Sequence, residues 1–63
     1  MTLNSFLRVW QQTSFGVCII DNDTKTRYFD GPIYELMKSD VNLSMEIISI
    51  DILDNHLVIS VYE

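Results

Sequence analysis

A chain of 63 residues, 48% of them hydrophobic and with only two glycines and one proline, carries apolar matter for one small core and not for a second domain. It is therefore read as a single unit, residues 1–63, of low stability. Nine acids against four lysines and arginines leave a net charge of −5, which repels phosphate and removes the counterion release that drives nucleic-acid binding. One cysteine and one histidine exclude an internal disulfide and a His/Cys metal site, so association is the remaining ordinary help for so small a scaffold, and a homodimer or higher oligomer is expected.

The first element is a helix over Leu3 to Gln12. "TLNSFLRVWQQT" places Leu3, Phe6, Leu7 and Trp10 at i, i+3, i+4 and i+7, with Thr2 positioned to cap the first turn and Arg8 facing water. Next, "SFGVCIID" and "TRYFD" read as a hairpin joined through "NDTK". The first of these strands is apolar on both faces, which suits an interior position in the sheet. Cys18, flanked by apolar residues, reads as a small buried hydrophobe with a raised pKa rather than a nucleophile.

In "DGPIYELMKSD", Asp30 or Gly31 can cap and Pro32 takes the first helical position. Ile33, Leu36 and Met37 form a short stripe, so a second helix is expected from Pro32 to Ser39. "MEIISIDIL" and "HLVISVYE" then flank Asp54-Asn55, a two-residue link that signals a type I′ hairpin. Alternation in the third strand puts Ile48, Ile50 and Ile52 on the core face, and Leu57, Ile59 and Val61 of the fourth strand beside them. The whole is an α+β domain in the order α-β-β-α-β-β, one four-stranded antiparallel-rich sheet with two short helices. The expected core is Leu3, Phe6, Leu7, Trp10, Ile19, Leu36, Ile48, Ile50, Leu57 and Ile59.

The stretch "DNDTKTRYFDGPIYEL" crowds acids, hydroxyls and tyrosines into one place, yet most of that polarity is turn former, helix start and first-turn acid. Its alternating acids fail as a calcium loop, because Thr26 and Pro32 stand where the glycine and the last glutamate belong. Asp21 with Asp23 and Asp51 with Asp54 lie near turns, where hydration leaves no shifted carboxyl pair for acid–base work. His56 sits beside a turn with no sequence neighbour to activate. No phosphate-binding loop, dinucleotide turn or Cys-x-x-Cys occurs. No cofactor, metal or catalytic residue is therefore expected, and the chain is not read as an enzyme. The absence of a leader or an apolar run long enough for a membrane points to the cytoplasm.

What remains is a surface. Asp21, Asp23, Asp30 and Glu35, with Tyr28 and Tyr34 as anchors among them, are the expected partner-binding residues, toward a protein with a basic surface. The order "VCIIDNDTKTRYFDGPIYEL" followed by "LSMEIISIDILDNHLVISVYE" resembles small orphan accessory proteins of phages and prophages of Gram-positive bacteria. These run through a short helix, a "V-x-I-x-D" strand, an acidic turn, a strand ending near "F-x-G", an "x-x-E-L" helix, and then "E-x-x-S-I" and "D-N-x-L-V-I". The resemblance spans almost the whole chain and implies a mobile-element accessory protein with no catalytic residue to carry over. The expectation is an acidic protein-binding module that contacts a host or phage protein, in its most concrete form an inhibitor of a host defence nuclease. The alternatives are an assembly protein that acts as a homo-oligomer and, last, an enzyme or small-molecule binder with its site between protomers, since so short a chain leaves little room for a pocket.

Overall fold

The computed structural model describes residues 1–10 and 14–62. Thr2 caps helix α1 (Leu3–Val9), its hydroxyl accepting from the Ser5 N–H at 3.2 Å. Leu3, Phe6 and Leu7 are buried as the stripe requires. Trp10 is only half-buried, stacked on Phe6 and edge-on to Phe15 with ring centroids 5.4 and 5.3 Å apart. Gln11 and Gln12, the end of the expected helix, lie outside the described residues.

The chain continues as β1 (Gly16–Asp21), β2 (Arg27–Pro32), α2 (Ile33–Leu36), β3 (Glu46–Leu53) and β4 (His56–Tyr62). The fold is α+β, with one four-stranded sheet in the order β2-β1-β4-β3. The expectation of an antiparallel-rich sheet holds for its two hairpins and not for its centre, where β1 and β4 run parallel. A parallel pair needs a long crossover. Here α2 and the loop down to Met45 carry the chain from one edge of the sheet to the other.

Helix α2 is shorter than its apolar spacing suggests. Pro32 is its extended N-cap and the last residue of β2, while Asp30 and Gly31 pair with Cys18 and Val17 instead of capping. The Lys38 and Ser39 N–H groups donate back three residues, to Glu35 and Leu36 carbonyls, at 3.1 Å each. The Ser39 hydroxyl closes on Leu36 at 2.7 Å. These tight bonds end the helix after a single turn.

The Asp54-Asn55 turn forms as its chemistry dictates, with φ of 50° and 60° at the two residues. Strand β3 departs from simple alternation. Its register shifts between Ile47 and Ser49, so Ile47 faces Val61 and Ile48 becomes the extra residue of a bulge. Ile48 is therefore 53% exposed rather than in the core, Ile50 is half-buried, and Ile52, at the bare end of an edge strand, is 60% exposed. The observed core is Leu3, Phe6, Leu7, Val17, Ile19, Ile33, Leu36, Met45, Leu57, Ile59 and Val61. Val17 with Leu57 and Ile19 with Ile59 are register partners on one sheet face, and both helices cover that face. Among the described residues, the opposite face carries no helix. Among the described residues no helix is long and apolar enough to cross a membrane.

Candidate interaction surfaces

The structure disperses the acids and tyrosines of "DNDTKTRYFDGPIYEL" instead of gathering them. Asp21 ends β1 with its carboxylate buried. One oxygen accepts from the Asp23 and Thr24 N–H groups at 3.0 and 2.8 Å and from the Thr24 hydroxyl at 3.1 Å; the other accepts from the Tyr28 hydroxyl at 3.1 Å. The Thr24 N–H is the foremost of several donors holding its pKa below the ordinary aspartate range, against the opposing pull of burial. Asp21 is thus the pin of the β1–β2 loop, where Lys25 takes a positive φ of 62°, and it is withdrawn from the expected partner surface. Tyr28 is half-buried through the same contact, Asp23 is exposed in the loop, and Tyr34 and Glu35 are exposed on α2.

Asp30 belongs to the uncovered sheet face. Its carboxylate meets Arg27 at 3.4 Å and the His56 imidazole at 3.5 Å, the latter an ion pair only when the ring is protonated. His56 reaches across β1 because Gly16 leaves it a lane: a Cβ there would stand 2.6 Å from the ring. Cys18, opposite Asp30 on β1, is buried. Burial pushes its thiol pKa up, the Asp30 carboxylate adds to this, and Arg27 opposes it. A thiol held protonated is a poor nucleophile. Among the described residues, no group of three metal-binding side chains converges here or elsewhere.

A cleft of about 350 Å³ opens between β2 and the loop after α2, with Tyr28, Phe29, Val41 and Met45 as its apolar wall and Asp40 and Asn42 among its polar residues. This is more room than so short a chain was expected to leave, because the loop stands off from the edge strand. Asn42 uses its side-chain carbonyl oxygen to accept from the Ser44 N–H at 3.0 Å.

The two edges of the sheet differ more. The Gly16 and Asn22 N–H groups donate to the Asn55 and Val61 carbonyls at 3.2 and 2.8 Å. Every second residue of β4, Leu57, Ile59 and Val61, therefore aims its backbone at β1, and His56, Val58 and Ser60 face β3. Their partners Leu53, Asp51 and Ser49 bond inward. Ile50 and Ile52 are left with N–H and C=O directed out of the sheet. Ile47 points the same way, and its N–H donates to the Met1 carbonyl at 2.8 Å, beside a Thr2–Glu46 bridge. The start of the β3 edge is thus already covered by a strand-like segment of the chain itself.

Charge marks the same region. Residues 1–39 carry four acids and four lysines or arginines, whereas residues 40–63 carry five acids and none, so the whole net charge of −5 lies in the second part of the chain. That split was readable from the sequence, but the crowding in Asp21 to Glu35 drew attention to acids that Lys25, Arg27 and their neighbours already offset. Comparison with protein-family models, with curated proteins and with solved structures finds no match for this chain. The resemblance to phage accessory proteins rests on its motifs alone.

Proposed function

We propose that this protein is a small acidic binding module that acts by contacting another protein, in the most concrete form a phage or mobile-element inhibitor that fills the basic nucleic-acid channel of a host nuclease. The observation that carries this reading is the set of five acids with no lysine or arginine in residues 40–63, of which Glu46 meets the Met1 ammonium at 3.1 Å, beside the exposed Ile48, Ile52, Leu53 and Tyr62. Apolar anchors within a field of one sign favour a partner of the opposite sign and speed its approach. The β3–β4 side is therefore the principal contact, with Asp23, Asp30, Tyr34 and Glu35 as a secondary rim. Asp21 and Tyr28 act by holding the loop that carries Asp23.

Crosslinking capture from a host lysate, repeated in rising salt and with two double variants, tests the reading. Capture should weaken with salt and be lost in Glu46→Lys/Asp51→Lys, and survive in Asp23→Lys/Glu35→Lys. Capture indifferent to salt and to both variants would sink it. A second reading, an assembly protein that oligomerises through β3, is favoured by the same bare edge. Two chains of charge −5 meeting along their acidic sides oppose it.

A further inference from the structure

We infer that the free edge of β3 binds its partner by strand addition: an extended segment with alternating apolar and basic side chains pairs with the outward N–H and C=O groups of Ile50 and Ile52 and sets a lysine or arginine against Asp51. This rests on the protein-binding reading and gives it a geometry. The edge has what such a segment needs. Its backbone groups at Ile50 and Ile52 are directed out of the sheet, and the exposed side chains of Ile48, Ile52 and Leu53 supply apolar contact. The chain demonstrates the mode on itself, since Met1 and Thr2 lie along the same edge and the Met1 carbonyl accepts from the Ile47 N–H.

Charge selects the occupant. The strand carries Glu46 and Asp51, the adjoining turn Asp54, and no lysine or arginine lies anywhere in residues 40–63. A second copy pairs its backbone best with Ile50 against the partner's Ile52, and that register sets Asp51 directly opposite the partner's Asp51. Like charges so placed destabilise the pair. A basic side chain in the same place attracts, so a basic segment is preferred to another copy. The edge at β2 is a poorer candidate, because Pro32 presents no N–H there and Arg27 and Asp30 bracket the strand with opposed charges.

The probe is a capped heptapeptide of alternating valine and lysine, with its valine–glutamate counterpart as control, titrated into the full-length ¹⁵N-labelled protein. The expected result is saturable amide shifts centred on Ile50 and Ile52, slower exchange of those two N–H groups, and no response to the glutamate peptide. Ile52→Pro removes an outward donor without touching the β3–β4 ladder, so it should keep the native spectrum and weaken the peptide about tenfold. Asp51→Lys, a surface change, should reverse the preference between the two peptides, and it decides the matter if the proline variant does not fold. Shifts away from β3, equal response to both peptides, or concentration-dependent self-association of the wild-type chain through this edge would overturn the inference. Capture of a partner that is salt-sensitive but unaffected by Ile52→Pro would overturn strand addition alone and leave the binding-module reading standing.

Discussion

The two free edges of the sheet are built from opposite materials. Strand β2 ends in Pro32, carries the Arg27–Asp30 pair, and is bent by a register shift between Ile19 and Ile20 of its partner. Those are the ordinary devices by which an edge refuses another strand. Strand β3 has eight residues, most of them aliphatic, with Glu46 at its covered start and Asp51 as the one charge along its open stretch. A chain that guards one edge so thoroughly and the other so lightly has a preferred side for meeting other chains. The lesson concerns backbone direction: what an edge offers is decided by which residues aim their N–H outward, not by hydropathy alone.

The largest effects should separate the strand interior from this edge. Ile59→Ala, at a fully buried central position, should cost about 2–5 kcal/mol, enough to leave so small a domain largely unfolded. Ile52→Ala, on the exposed edge, should stay within about 0.5 kcal/mol. Urea titrations of both variants check this, and equal losses would show that the edge of β3 is packed after all. Next in size is a pair of prolines one residue apart. Asp51→Pro deletes an N–H bonded to β4 and strands the Val58 carbonyl, a loss of about 1–3 kcal/mol, whereas Ile52→Pro spares the ladder. Thermal melts in which Ile52→Pro is the worse of the two would reverse the assigned backbone directions.

Smaller again is the contribution of the loop that leads into β2. The folded pKa of Asp21 is lowered, so its stabilising effect is complete above the ordinary aspartate range and disappears as pH falls through the lowered folded value. Asp21→Asn should melt below the wild type at neutral pH, and the gap should close on acidification. A gap that is constant or grows toward low pH contradicts the role of the carboxylate as the loop's hydrogen-bond hub.

How much of this was legible in the sequence depends on the range of the interactions involved. The Asp54-Asn55 turn and the Thr2 cap are local chemistry, and both stand where the residues put them. The bulge at Ile48 left no trace, because "EIISIDIL" alternates acceptably in either phase and only the partner strand decides which isoleucine is extra. The parallel pairing of β1 with β4 joins segments far apart in the chain, and no local pattern encodes it. The expected partner residues illustrate the same limit. Asp21 looks like a surface acid until Thr24 and Tyr28 are seen to enclose it, and Asp51 looks like ordinary strand polarity although residues 40–63 hold no lysine or arginine.

The smallest effect on the fold should bring the largest contrast in association. Asp51 faces the helix-free side of the sheet and is exposed, as is Asp30 on β2, so Asp51→Val and Asp30→Val should each change stability by no more than about 0.5 kcal/mol. Their consequences for pairing differ because the remaining defences differ. Without Asp51, β3 presents Ile48, Ile50, Ile52 and Leu53 along an unpaired backbone, and the register that matched two copies best no longer opposes like charges. Without Asp30, β2 still has Arg27 at one end and the missing N–H of Pro32 at the other. Sedimentation at matched concentrations should therefore find Asp51→Val in a reversible dimer and Asp30→Val as a monomer. If both stay monomeric, one carboxylate is not what keeps β3 from its own copy. If Asp30→Val associates and Asp51→Val does not, the guarded and the open edge have been assigned the wrong way round.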